Sequence, residues 1–340
     1  MDPTIALILL QDGVVNGAIY ALLSLSLVLV FTVTRVIFVP QGELVAFGAL
    51  TYATLDIGVF PGSAWLLCAL GAAAFVAGWV QLRRVSVGLI LETLVFPAVV
   101  TGIAMVLAPR KPGVFVEAAL AIAIVAPMAP YLYRVAFQPL AQASVLVLLI
   151  AAVGVHLALV GLGLVFFGPE GSRSSGFSDA QFTAGPLIIP GQALWILGLT
   201  AALMAGLYAF FAFTLFGKAL RATAVNRLGA RLVGIATAQS GRIAFTLAGA
   251  IGALSGILIA PLTTVYYDTG FLIGLKGFTA AIVGGLANYP AAALAAVLVG
   301  VIEGFSSFWA SAFKEVIVFT VIIPVLLWRS FQHGPQDEEE

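Results

Sequence analysis

The chain has 340 residues, 62% of them hydrophobic and 9% charged, and its 15 Lys and Arg balance 15 Asp and Glu. A soluble domain carries roughly 25% charged residues, so the composition excludes a water-soluble globular protein, and without a basic surplus nucleic acid has no docking surface. Apolar runs of the length needed to cross a bilayer as a helix, about 20 residues, recur throughout and leave no segment for a soluble catalytic domain.

The first apolar stretch runs from Ile5 to Val33, is preceded by Asp2 rather than by basic residues, and has no small-residue cleavage site, so a removable signal peptide is not expected. Further apolar segments follow near 37–57, 62–82, 87–108, 113–133, 143–167, 193–216, 243–265, 270–288, 291–310 and 314–328. The fold class is therefore an all-α, polytopic transmembrane helical bundle of about 11 membrane segments in a single domain, 1–340. Gly and Pro interrupt 37–57 and 270–288, which marks them as broken or re-entrant. Cys68 lies inside an apolar run as a buried, inert thiol and can form no intramolecular disulfide.

Orientation follows from Lys and Arg, which cytoplasmic loops retain. The stretch 217–242 holds Lys218, Arg221, Arg227, Arg231 and Arg242 with no acidic residue, and is assigned to the cytoplasm. Alternation from that anchor places Arg35, Arg83, Arg84, Arg134 and Arg329 inside, and Arg110, Lys111, Arg173 and Lys314 outside. The Gly-, Ser- and Pro-rich stretch 168–190 becomes an external loop, and the tail 330–340, which closes on Asp337 to Glu340, becomes cytoplasmic.

No G-x-x-x-x-G-K-[ST] phosphate loop occurs, so ATP chemistry by that route must reside on other chains, and the chain itself reads as a transport subunit rather than an enzyme. Gly249, Gly252 and Gly256 read as close helix packing. His156 stands mid-span with no second ligand at metal spacing; neither a metal nor a cofactor is expected. In the basic stretch, Leu228, Leu232 and Ile235 fall at i, i+4 and i+7 beside Arg227 and Arg231, as on a short amphipathic helix. Such a helix either lies in the membrane interface against anionic lipid or docks in a groove of a cytoplasmic ATPase, with Leu232 and Ile235 as anchors and the arginines as rim contacts.

The run Gly217-Lys218-Ala219-Leu220-Arg221-Ala222-Thr223-Ala224, continued by Ala230-Arg231-Leu232-Val233-Gly234-Ile235, resembles the cytoplasmic motif of permeases of the branched-chain amino acid ABC importer family. Residues Gly274 to Gly285 are similar to that family's G-x-K-x-F-T-A-A-x-x-G-G block; Ile302-Glu303-Gly304, Asn16 to Leu22 and Gln41-Gly42-Glu43 resemble further motifs. The resemblance covers about 1–55 and 130–330, and it leaves about 60–112 as an additional pair of spans. Pro40-Gln41 stands where the family usually has Ala-His, Gln138 where it has a basic residue, and Asn226 where it has an acidic one. The resemblance implies a second permease subunit, two cytoplasmic ATP-binding subunits and an external solute-binding protein. It also implies a bacterial inner-membrane location, with membrane lipid around the bundle. Arg221, Arg227, Arg231, Leu232, Gly234 and Ile235 are then the expected ATPase-coupling residues.

Charged groups within spans usually face the protein interior or a cavity, which singles out Glu43, Glu92, Lys276 and Glu303. Gln41, Glu43, Lys276, Thr279 and Glu303 are the expected pathway residues, with Lys276 and Glu303 able to pair. Local pairing or snorkelling at helix ends is the structural alternative. A stand-alone transporter driven by protons or sodium, with Glu43 and Glu303 as carriers, is the competing functional reading. No cluster of His, carboxylate and nucleophile supports a membrane enzyme.

Overall fold

The longest apolar run becomes a 32-residue helix, α1 (Pro3–Thr34), in the computed structural model, which describes residues 2–83, 85–185, 187–286 and 288–332. Asp2 caps it by accepting the Thr4 N–H, and Arg35 ends it in the left-handed conformation at φ 62°. The Arg84 and His333 positions and the tail beyond Gln332 lie outside the described residues, as does the Arg329 side chain.

The other elements follow as α2 (Gln41–Asp56), α3 (Ser63–Leu82), α4 (Val87–Arg110), α5 (Val114–Phe137), α6 (Val145–Phe167), β1 (Gln181–Ala184), β2 (Leu187–Pro190), α7 (Gly191–Phe213), α8 (Leu215–Val225), α9 (Arg227–Leu232), α10 (Thr237–Ile259), α11 (Thr269–Gly284), α12 (Tyr289–Trp309) and α13 (Ser311–Trp328). Among the described residues nine helices are long and apolar enough to cross a membrane. The expected count of 11 is thus not reached by full-length helices: the segments at 37–57 and 270–288 form α2 and α11, of 16 residues each. At 1.5 Å per residue each extends about 24 Å, short of the roughly 30 Å hydrocarbon core.

These two short helices both start deep in the bundle. The Gln41 amide, at the first residue of α2, donates to the carbonyl of Ala248, half-way along α10. A Cβ on Gly42 would sit 2.0 Å from the Gly270 carbonyl oxygen, so the first turns of α2 and α11 meet backbone to backbone, and only glycine fits. From there they run to opposite ends. Asp56, at the end of α2, accepts from Ser175, whereas Gly285, after α11, shares a cleft with Arg35 and Arg221.

Each is fed by a non-helical segment, tolerated at membrane depth only where protein covers it. In 35–40, Phe38 is fully buried and packs edge-on against Phe137 and Phe245 at 5.8 and 4.8 Å. In 260–268, the stretch 168–190 supplies partners: Ser172 and Val265 exchange two backbone hydrogen bonds of 2.9 Å, and Arg173 Nε donates to the Pro261 carbonyl at 3.0 Å. That stretch is not wholly loop, since β1 and β2 form an antiparallel hairpin within it.

α1 is buried over most of its length and packs closely on α12. A Cβ on Gly300 would come within 2.4 Å of the Gly13 oxygen, and one on Gly17 within 2.7 Å of the Val297 Cα, which lets the backbones approach as small residues do in membranes. Gly300→Ala should therefore lower stability by about 1–3 kcal/mol, read as an earlier loss of the monodisperse peak on heating in detergent. Gly252 and Gly256 admit α2 in the same manner, while Gly249 faces Ala126 and Ala129 of α5.

Candidate translocation site and docking loop

Glu43 lies in the first turn of α2, where a carboxylate complements the positive end of the helix dipole. It is fully buried; its Oε1 is 2.8 Å from His156 Nδ1 on α6, and its Oε2 has no partner among the described residues. The Phe271 ring of α11 covers the imidazole at 4.7 Å. His156, set aside as unpartnered in the sequence, is therefore the group that receives Glu43. Their separation of 113 positions gives no local signal.

Lys276 and Glu303 meet between α11 and α12, with Nζ 2.5 Å from Oε1. Tyr20 of α1 donates to Glu303 Oε2 at 2.6 Å, and Glu315 of α13 approaches Lys276 at 3.1 Å, so a buried cation serves two carboxylates. Thr279 is buried and turns its hydroxyl back to the Leu275 carbonyl at 2.9 Å. No hydrogen bond or ion pair joins the Lys276 group to Gln41 or Glu43 among the described residues. Four of the five expected pathway residues thus form two sites, Gln41 and Glu43 at the meeting of the broken helices and Lys276 and Glu303 between α11 and α12, while the Thr279 hydroxyl is bonded to its own helix.

Glu92 sits where α4 widens into a π-turn over Leu91–Val95. It pairs with Arg134 and Arg242 at 3.3 and 3.0 Å, while Tyr131 donates to its carbonyl, so it fastens the additional spans to α5 and α10. Arg134, expected in a loop, belongs to α5 and is almost fully buried.

The basic stretch 217–242 is more helical than a loop. α8 starts at the Thr214 cap, α9 occupies 227–232, and Arg242 already belongs to α10. Asn226 caps α9 by accepting the Gly229 N–H at 2.8 Å, and Gly234, at φ 86°, ends the segment. Ile235 consequently lies beyond the helix, half-buried, with its N–H bonded to the Ala230 carbonyl, and is not the third member of an amphipathic face. Leu228 and Leu232 are exposed, at 68% and 80%. Arg227 donates to the Ala141 carbonyl and Arg231 to the Thr237 hydroxyl, which tie α9 to the bundle; Arg221 faces the cleft beside Arg35 and Tyr289.

A profile of the family described as branched-chain amino acid transport system / permease component matches residues 9–326. The chain belongs to that family. The family and the nine apolar helices among the described residues make it a multi-pass protein of the cell membrane. It is 32% identical over 208 residues to the high-affinity branched-chain amino acid transport system permease protein LivH of Salmonella typhimurium, a match covering 57% of this chain and 65% of that protein. The counterpart from Escherichia coli K12 is 30% identical over 203 residues with the same coverage. The permease protein BraD of Pseudomonas aeruginosa is 28% identical over 282 residues, 80% of this chain and 92% of BraD. The chain thus spans just under two thirds of the length of the LivH proteins it matches. No solved structure matches it.

Proposed function

We propose that the chain is the membrane-spanning permease subunit of an ATP-driven importer for branched-chain or related small amino acids. It works with two cytoplasmic ATP-binding subunits, a second permease subunit and an external solute-binding protein. The observation that carries this reading is the family match over 9–326, and the exposed leucines of α9 beside a basic surface support the coupling role. Arg221, Arg227, Arg231, Leu232, Gly234 and Ile235 belong to the docking region, with Leu232 as its apolar anchor and Arg227 and Arg231 holding it to the bundle. Gln41, Glu43 and Thr279 line the pathway, and Lys276 with Glu303 sets the packing of α11 beside it.

Uptake of labelled leucine into proteoliposomes tests this directly. With the ATP-binding subunits, the second permease and the loaded binding protein present, uptake should require ATP. Uptake by the chain alone under a proton or sodium gradient would instead establish an ion-coupled carrier.

A further inference from the structure

Two cavities meet at the end of the bundle where Arg35 and Arg221 lie, the end that basic residues mark as cytoplasmic. One, of about 410 Å3, is a cleft between α1, α8 and the turn after α11, walled by Phe31, Val33, Leu220 and Tyr289 together with the two arginines. The other, of about 330 Å3, runs along α7 past Leu25, Met204, Leu207 and Tyr208. Phe211, Arg221 and Tyr289 line both, so the second continues the first.

No acidic residue lines either cavity, and the side chains of Arg35 and Arg221 make no hydrogen bond or ion pair among the described residues. The two hydroxyls in the cleft are spent on the protein itself: Thr32 donates to the Val28 carbonyl at 2.8 Å, and the Tyr289 hydroxyl lies 3.4 Å from that of Thr32. Two guanidiniums are therefore the side-chain groups left to meet an occupant, and both can only donate. They call for an anion, and a phosphate suits the planar fork of arginine.

The apolar groove below them has the depth of one leaflet. Leu25 stands ten positions before Arg35, and Met204 nine before Phe213 at the end of α7. At 1.5 Å per residue the groove thus reaches about 15 Å from the arginines, half of the roughly 30 Å hydrocarbon core. Its outer side is open, with Tyr208 73% and Met204 36% exposed, so an acyl chain already in the bilayer can enter sideways. A soluble anion gains nothing from such a groove.

We propose that the joined cavities bind one anionic phospholipid of the cytoplasmic leaflet. Its phosphate sits between Arg35 and Arg221, and one acyl chain lies along α7 against Leu25, Met204 and Leu207. The headgroup bridges the end of α1 to α8, so Arg221 serves the docking region by holding α8 against the membrane. The site needs only that the chain span a bilayer, whatever its cargo or partners. Each basic side chain near a lipid surface favours an anionic lipid about fivefold, so the pair gives a preference of roughly 25-fold over a zwitterionic one.

The test is photolabelling of the full chain, purified in a mild detergent with whatever subunits remain bound, by phosphatidylglycerol that carries a diazirine in one acyl chain. Adducts mapped by mass spectrometry are expected on the α7 peptide that contains Met204 and Tyr208. Unlabelled dioleoylphosphatidylglycerol should compete them away at about one twenty-fifth of the concentration needed by dioleoylphosphatidylcholine. Glycerophosphoglycerol, the headgroup without chains, should not compete. Arg221→Gln should cut the preference about fivefold, and so should Arg35→Asn, which suits the left-handed backbone at φ 62°. The same exchange at Arg83, the left-handed arginine that ends α3 and lines neither cavity, should leave the preference within about twofold. The proposal is overturned if no adduct maps to α7, if phosphatidylcholine or the free headgroup competes as well as phosphatidylglycerol, or if Arg83→Asn costs as much as Arg35→Asn. Adducts that appear only after companion subunits are stripped away would show that another chain covers the groove, and would overturn it equally.

Discussion

Lys276→Met should destabilise the protein by about 3–5 kcal/mol, because it strands a buried carboxylate that has lost its counter-charge. Glu303 is 7% exposed and, among the described residues, keeps only the Tyr20 hydroxyl as a donor once the ammonium is gone. Adding Glu303→Gln should recover most of the loss, since a neutral amide still accepts from Tyr20 and no unpaired charge remains. Glu315→Gln should matter less, because an amide still accepts from the Lys276 ammonium, now 3.1 Å away, and Glu303 keeps that ammonium paired. The readout is the midpoint of thermal aggregation in detergent for the three variants. If the double variant were as unstable as Lys276→Met alone, the lysine would be held for packing rather than for charge. The group ties α1, α11, α12 and α13 together, so its loss should be felt along the whole bundle.

Hydropathy reveals these helices because lipid forces backbone hydrogen bonds into each segment, and every apolar run must therefore be helical. The two breaks are less legible, since the expected span 243–265 runs through Pro261 and Pro97 and Pro130 lie inside α4 and α5. Pro40 and Pro261 interrupt apolar runs, and the chain bends at both into buried non-helical stretches. Pairings are a different matter. Lys276 and Glu303, opposite charges in adjacent apolar runs, are expected to pair and do, whereas Glu43 and His156 are 113 positions apart and no spacing joins them. Glu315, at the start of the last span, is as invisible beside Lys276 as Tyr20 is beside Glu303. In the basic stretch, apolar spacing alone extends the helix to Ile235. The capping residues Asn226 and Gly234 bound it more narrowly, and they are local signals written in the sequence.

Leu232→Glu should separate ATP hydrolysis from uptake. The leucine is 80% exposed at the end of α9, so within the chain the substitution should change stability by no more than about 0.5 kcal/mol. An apolar anchor seated in a partner's groove contributes about 2 kcal/mol or more to docking, equivalent to roughly 30-fold in affinity. A carboxylate there should thus release the ATP-binding subunits or leave them idling, with leucine uptake reduced at least about tenfold while the permease retains its melting temperature. Ile235→Glu is a poorer probe, because that residue is half-buried in the turn that closes α9 and would disturb the fold as well. Arg227→Ala and Arg231→Ala act one step further back: by freeing α9 from Ala141 and Thr237 they should weaken coupling without removing the anchor. Ligands shift a conformational equilibrium only through differential affinity, so on the import reading proposed above a loop held to the bundle on one face and to the ATP-binding subunits on the other would let their closure act on α10. Full uptake by Leu232→Glu, with ATP turnover still stimulated by the loaded binding protein, would remove α9 from that chain of force.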